Sequence, residues 1–199
     1  MSPKSSARER IIDAAEQVVL KEGASHMTMD AVAAKACVSK GGLIYHFPSQ
    51  RDLLQGMLQR FVERIETRMA QARAKLPEGP ARNIKAYVHA WFTLGSEYRR
   101  TASALLATIT REPELLQTVQ KKHRAVLAEI IDAAPNPELA IVLSLATEGM
   151  WMSELLNISP LADHERARIQ HLLLKLADEW LEPSGIPSAL KSARRKRKG

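Results

Sequence analysis

The sequence has one cysteine, few aromatic residues and no long hydrophobic run, and each shortage excludes a class of protein. Cys37 is the only cysteine among the 199 residues, so an internal disulfide is impossible and a reducing cytoplasm is the expected location. No stretch has the length and hydrophobicity of a membrane span or the pattern of a signal peptide, so we expect no membrane association. Aromatic residues make up 5% of the chain, and the alternation typical of strands is missing. The composition therefore predicts an all-helical protein.

Motifs for catalysis and for metal binding are also missing. No glycine-rich phosphate loop, His-Glu-x-x-His or Cys-x-x-Cys pattern occurs, and no nucleophile motif links the serines, histidines and aspartates. His164 and His171 are seven residues apart and have no third ligand, so ordinary surface or interface histidines are the favoured interpretation. The sequence therefore predicts neither an enzyme nor a cofactor or metal site.

The positive net charge is concentrated near the C-terminal end. Residues 191–199 contain six basic side chains and no acidic one, out of a net charge of +7 for the whole chain. We predict a disordered basic tail over residues 183–199. Such a tail either adds salt-dependent, sequence-independent affinity for DNA or only keeps the chain in solution.

Residues 27–47 have the pattern of two short helices joined by a tight turn. Thr28 and Ser39 are each placed to cap the start of one helix. Met27 and Val38 precede these caps, where an apolar side chain can pack against the helix one turn later. This arrangement is typical of a helix-turn-helix, whose second helix lies in the major groove of DNA.

The second of these helices has a composition that core packing alone would not select. Two glycines lie near its start, although each costs about 1 kcal/mol relative to alanine in a helix interior. A glycine lets the backbone approach another surface closely, and polar side chains around it can reach phosphates or base edges. Two ordinary core helices with glycines at their crossing are the alternative. The predicted DNA-binding residues of this motif are Thr28, Ser39, Lys40, Gly41, Gly42, Tyr45 and His46.

Residues 28–54 resemble the DNA-binding signature of the TetR family of bacterial transcriptional regulators. The resemblance lies in the threonine at the start of the second helix, the Ala-Cys-Val-Ser turn at 36–39 and the Tyr-His-Phe ending at 45–47. Cys37 stands where the family usually has a glycine. Gln50 stands where it usually has a lysine that contacts a phosphate, and Arg51 beside it is the candidate to replace that contact. Cys37 is either a redox-sensitive thiol or, more commonly for such a residue, a small apolar filler.

The resemblance implies a regulator that responds to a ligand, most often a repressor that binds a palindromic operator in double-stranded DNA as a homodimer. A small hydrophobic effector, with a cation as one option, would release it and so control an efflux or detoxification gene. An all-helical interaction or enzyme-like domain without specific DNA binding is the alternative function.

The chain divides by pattern into a helix-turn-helix domain over 1–48, a ligand-binding and dimerisation domain over 49–182, and the tail. About nine helices are expected. Among them are one continuous helix over 81–99 and two C-terminal helices over 138–157 and 163–181. The helix over 138–157 is apolar nearly all round, which requires partners on every side. We therefore predict that the last two helices pair with their copies in a homodimer.

A small-molecule site is predicted in the second domain. Aromatic and methionine side chains on two of its helices are typical of an adaptable apolar pocket. Glu148 and Trp151 share a helix face, and a carboxylate beside an indole suits a bulky cation. The alternatives are that the aromatic residues belong to the core and that Glu148 pairs across the dimer interface. The predicted effector-binding residues are Trp91, Phe92, Tyr98, Glu148, Trp151 and Met152.

Overall fold

The computed structural model describes residues 6–23, 26–109 and 113–181, and the regular structure of this part of the chain is helical throughout. The nine α-helices of these residues confirm the predicted all-helical fold, and the predicted tail over 183–199 lies outside the described residues. The helices are α1 Ala7–Glu22, α2 Met29–Ala36, α3 Lys40–His46, α4 Gln50–Lys75, α5 Arg82–Phe92, α6 Ser96–Ile109, α7 Leu116–Ala133, α8 Pro137–Leu155 and α9 Asp163–Leu181.

Several helix boundaries follow from local capping signals. The Ser6 hydroxyl accepts a hydrogen bond from the Glu9 backbone N–H at 3.2 Å, which caps α1. Gly23 ends that helix with a φ of 92°, in a region that a glycine enters without strain. At the start of α8 the Asn136 side chain accepts from the Leu139 N–H at 3.2 Å, and Pro137 occupies the first turn.

The predicted continuous helix over 81–99 is wrong. Helix α5 ends at Phe92, and α6 begins only at Ser96. The Thr93 hydroxyl donates to the carbonyl of His89 at 2.7 Å, so a side chain competes for the carbonyls at the end of the helix. Leu94 is nevertheless buried, so the spacing of apolar residues continues across the break. That spacing alone therefore predicts one helix instead of two.

Contacts divide the chain into two compact units. Unit 1 comprises the described residues of 1–64 and 95–121, and unit 2 comprises those of 65–94 and 122–199. Helices α4 and α7 each contribute residues to both units. The division by pattern at residue 48 stays a prediction.

Unit 1 holds the helix-turn-helix on an apolar core. In this core α1 packs against α2 and α6, and Leu43 of α3 is fully buried. Arg60 of α4 forms ion pairs with Asp13 at 2.5 Å and Glu16 at 2.6 Å, both on α1. These pairs stabilise the position of α1 beneath the two short helices. The core includes Ile11, Ile12, Ala15, Val18, Met27, Val32, Leu43, Phe47, Leu53, Met57 and Leu105.

Unit 2 is built around α5, which packs against both α8 and α9. Ile84, Tyr87 and Val88 of α5 are almost completely buried, as are Leu143 of α8 and Ala177 of α9. Helix α9 has the predicted limits of 163–181. Among the residues that the structure describes, no helix combines the length and hydrophobicity needed to cross a membrane.

Candidate DNA-binding and effector sites

Two side-chain caps and one left-handed residue shape the helix-turn-helix. The Thr28 hydroxyl accepts from the Ala31 N–H at 3.2 Å, and the Ser39 hydroxyl accepts from the Gly42 N–H at 3.0 Å, so both predicted caps are confirmed. Cys37 ends α2 with φ 53° and ψ 45°. This is the left-handed conformation that usually requires a glycine at the end of a helix. The turn therefore keeps the shape of a glycine turn even though a cysteine occupies it.

Helix α3 buries one side and exposes the other. Leu43 faces the core, whereas Lys40, Gly41, Ile44 and Tyr45 are exposed, Tyr45 by 84%. A Cβ atom added to Gly41 would meet none of the described atoms within 4 Å. The fold of unit 1 thus gives no reason for a glycine at this position. A glycine that the core does not need, next to an exposed tyrosine, is typical of a helix that meets a surface from outside.

The polar side chains of α3 have contacts within the chain. Lys40 pairs with Asp30 of α2 at 2.9 Å, and both side chains are largely exposed. Such an exposed pair contributes little to stability, so a phosphate can replace the aspartate at small cost. His46 lies edge-on to the Tyr45 ring, with 5.1 Å between the ring centroids.

Arg51 and Gln50 are placed differently from the expectation based on the family pattern. The Gln50 amide donates to the Met27 carbonyl at 2.7 Å, so it fastens the start of α4 to the residue before Thr28. Arg51 forms an ion pair with Glu114, which lies in the short 3-10 turn Pro113–Leu115 of unit 1. One nitrogen of the half-exposed Arg51 guanidinium is thus engaged by Glu114.

In unit 2 the structure brings together several of the predicted effector residues. The ring centroids of Trp91 and Trp151 are 4.7 Å apart, and those of Tyr87 and Trp91 are 5.9 Å apart. The cavity beside these rings has a volume of only about 10 Å³, which is close to the space of one water molecule. The two tryptophans therefore form a closed aromatic cluster rather than an open pocket.

Glu148 pairs within its own chain. Its carboxylate accepts a hydrogen bond from the Tyr87 hydroxyl at 2.6 Å and lies 3.0 Å from Nε2 of His123. Burial and then the bond to Glu148 raise the pKa of Tyr87, so its phenol stays protonated and remains a donor. No local spacing in the sequence links His123 to a glutamate on another helix, so this contact becomes visible only in the structure.

Phe92, Tyr98 and Met152 occupy three different surroundings. Phe92 is buried in unit 2 at the end of α5. Tyr98 belongs to unit 1, where the Arg64 guanidinium lies 4.9 Å from its ring centroid. Met152 is exposed by 43% on α8. Of these three predicted effector residues, the structure places Phe92 beside the tryptophans, where it lines the same small cavity.

A partly buried ion pair borders the aromatic cluster. Arg166 of α9 pairs with Glu154 of α8 and donates to the Phe92 carbonyl at 3.0 Å. Its guanidinium carbon also lies 4.8 Å from the centroid of the Phe92 ring. Because these residues are far apart in the chain, no sequence motif could have indicated the contact.

An exposed apolar surface runs along the last two helices. In a single chain these large apolar side chains lie in water, and several of them on one helix favour an interaction site. We call this surface the α8/α9 face. It comprises Ile141, Val142, Leu145, Met152 and Leu156 of α8 and Leu172 of α9.

Comparison with known proteins identifies relatives of both parts of the chain. Residues 11–57 match the family model of bacterial regulatory proteins of the tetR family, and residues 81–178 match the tetracyclin repressor-like C-terminal domain. The chain is 25% identical over 171 residues to the HTH-type transcriptional regulator EthR of Mycolicibacterium smegmatis, covering 82% of this chain and 79% of EthR. It is 26% identical over 185 residues to the HTH-type transcriptional regulator BetI of Burkholderia mallei, covering 88% of this chain and 91% of BetI.

The fold is also shared with a solved structure. The crystal structure of the multidrug binding protein EbrR complexed with imidazole matches 85% of this chain and 96% of its own, with a TM-score of 0.62 and 22% identity. At this level of identity the likeness concerns the fold alone.

Proposed function

Because the chain belongs to the TetR family of bacterial regulatory proteins, and is therefore a transcriptional regulator rather than an enzyme, we propose that it is a repressor. In this proposal a homodimer binds a palindromic operator through α3 of each protomer. A small hydrophobic effector that binds in unit 2 then releases it. The observation that carries the proposal is the exposed side of α3.

The contacts proposed for α3 follow from its exposed groups. Tyr45 and Lys40 project from this side, and the bare backbone at Gly41 allows the helix to lie close to base edges. The free N–H groups at the start of α2, next to Thr28, suit a phosphate. Ser39, Gly42 and His46 complete the proposed contact surface. Arg51 joins it through N–H groups that compete with or add to its pair with Glu114.

The proposed dimer uses the α8/α9 face. Two copies of this face can bury each other about a two-fold axis, as self-complementary apolar surfaces do in most homodimers. For such a dimer to fit successive turns of one DNA face, its two α3 helices must lie about 34–36 Å or a multiple of it apart. A palindromic operator follows from this symmetry.

The proposed effector site is the closed aromatic cluster of unit 2. An effector can enter only if the rings of Trp91 and Trp151 separate, so it selects a conformation in which they are apart. If the α3 helices of that conformation no longer match the spacing of the operator, the effector lowers the affinity for DNA. Operator DNA then lowers the affinity for the effector by the same factor. A gene that exports or modifies the effector is the expected target.

A gel-shift experiment with DNA from the protein's own promoter region tests the proposal. We expect Tyr45→Ala and Lys40→Ala to lose specific binding. Lys122→Ala is the matched control, because Lys122 also pairs with a carboxylate at 2.9 Å but lies in unit 2. Unchanged binding in both α3 variants, or equal binding to scrambled DNA, would favour the alternative of an all-helical interaction domain without specific DNA binding.

A further inference from the structure

The guanidinium of Arg166 lies where several features that attract a cation meet. Its Nε pairs with the Glu154 carboxylate, and its Nη2 donates to the Phe92 carbonyl at 3.0 Å. Its central carbon lies 4.8 Å from the centroid of the Phe92 ring, at a distance typical of cation–π contact. The Phe92 carbonyl also belongs to the end of α5, which carries the partial negative charge of a helix C-terminus. This position is therefore a cation site that a side chain of the protein already fills.

The partial burial of Glu154 favours a cation at this position. The Glu154 side chain is only 13% exposed, and that of Arg166 is 24% exposed. A carboxylate removed from water to this extent is strongly destabilising unless an opposite charge stays beside it. None of the contacts requires that this charge belong to the chain itself, so a ligand of the same shape and charge can take the place of the guanidinium.

The cation site adjoins the aromatic cluster. Phe92, Glu154 and Arg166 line the same small cavity as Trp91 and Trp151. Withdrawal of the guanidinium would add its volume to this cavity and free one face of the Phe92 ring. A flat apolar group attached to the replacing cation would then lie against the tryptophans.

We propose that the effector is a planar organic cation, of the amidinium or guanidinium type with an attached aromatic group, which binds by displacing Arg166 from Glu154 and Phe92. This inference rests on the proposed function, because it names the effector class of the same unit. The exchange replaces the Arg166 guanidinium with the cation of the ligand, so Glu154 stays paired with a positive charge. The released Arg166 turns to solvent, and α9 loses its contacts through this side chain to α8 and α5. The loss of these contacts would change how α9 packs on α8, and with it the α8/α9 face.

Benzamidine and its neutral isostere benzamide provide the test, with binding followed by tryptophan fluorescence. We expect Arg166→Met to bind benzamidine at least about tenfold more tightly than the wild type, which corresponds to about 1.4 kcal/mol, and to leave benzamide affinity unchanged. Glu154→Gln combined with Arg166→Met should lose the preference for benzamidine over benzamide. Arg82→Met is the matched control, since Arg82 is 23% exposed, pairs with Glu78 and donates to a backbone carbonyl of the same unit. Equal affinity for the two compounds in Arg166→Met, or no gain for benzamidine, would overturn the proposal.

The wild-type protein gives a second readout that does not depend on the folding of a variant. The Nε–H resonance of Arg166, identified by its loss in Arg166→Lys, should shift or exchange away when benzamidine is added and stay in place with benzamide. An unchanged resonance with bound benzamidine contradicts the displacement. If neither protein binds benzamidine while operator binding is intact, this inference alone fails. Loss of specific operator binding by the wild type would instead contradict the proposed function.

Discussion

Gly56 of α4 packs directly against the ring of Phe47, the residue that follows α3. A Cβ atom on Gly56 would come within 2.7 Å of Cε1 of this ring, and the ring itself is buried. The close approach lets the long helix α4 support the end of α3. The glycine at this position is therefore required by packing, even though it lies inside a helix.

Gly56→Ala should destabilise the protein by about 1–3 kcal/mol, since overpacking a filled core costs about this much. Helix propensity alone predicts the opposite sign, a gain of up to about 1 kcal/mol. Gly149→Ala is the control, because a Cβ atom on this exposed glycine of α8 meets none of the described atoms within 4 Å. Urea unfolding of both variants measures the difference, and a Gly56→Ala variant as stable as Gly149→Ala would disprove the packing argument.

Gly41→Ala should have opposite effects on folding and on DNA binding. With no described atom in the way, the substitution should stabilise α3 by up to about 1 kcal/mol. If the backbone at Gly41 approaches a base edge, the added methyl group should weaken operator binding severalfold at constant salt. Thermal unfolding and fluorescence anisotropy on labelled operator give the two values. An unchanged operator affinity would show that this turn of α3 stays clear of the DNA.

Cys37→Gly should stabilise the turn between α2 and α3. A residue with a Cβ atom costs about 1–2 kcal/mol in the left-handed conformation, and the extra freedom of glycine in the unfolded chain returns about 0.5–1 kcal/mol of this. The expected net gain is therefore up to about 1.5 kcal/mol in the free energy of unfolding. Cys37→Ala, which keeps the Cβ atom, separates the backbone effect from loss of the thiol and should give no such gain.

His89 should make unit 2 less stable as the pH falls. Burial first, and then the nearby charge of Lys85, lowers the pKa of His89 in the folded protein below the ordinary value near 6.5. The folded state therefore prefers the neutral ring. The stabilising contribution is complete above about pH 6.5 and is lost as the pH falls through the folded pKa. His89→Gln should flatten this part of the pH dependence of stability, and an unchanged slope between pH 7 and pH 5 would rule the residue out as its source.

Charges placed on the α8/α9 face should separate the proposed dimer. Val142 and Leu145 are each 58% exposed in the single chain, so Val142→Glu with Leu145→Glu should leave the fold of one protomer intact. Two like charges per copy at a self-complementary interface should shift the protein to monomers in sedimentation velocity. Ile44→Glu, on the exposed side of α3, is the control and should keep the dimer. A wild-type chain that sediments as a monomer would remove the dimer from the proposal.

The sequence predicted the parts of the structure that depend on neighbouring residues. The caps at Thr28 and Ser39 and the limits of α9 follow from signals within a few positions. The break after Phe92 was missed because Leu94 continues the apolar pattern across it.

The contacts around Glu148 and Arg166 could not be predicted from sequence. Each joins side chains from different helices, and their meeting depends on how α5, α7, α8 and α9 pack. The aromatic residues indicated an apolar pocket in this part of the chain, whereas the structure packs Trp91 and Trp151 against each other. They did not indicate that the charged side chain of Arg166 closes the space beside them.

Cys37 lies exposed at the turn before α3 and is the only cysteine in the chain. One thiol per protomer means that a spin label attached there, with no other residue changed, reports a single distance between the two subunits of a dimer. Because Cys37 lies next to the start of α3, this distance reports the spacing between the α3 helices of the two subunits. Its change on adding DNA or a candidate inducer would track the switch in solution.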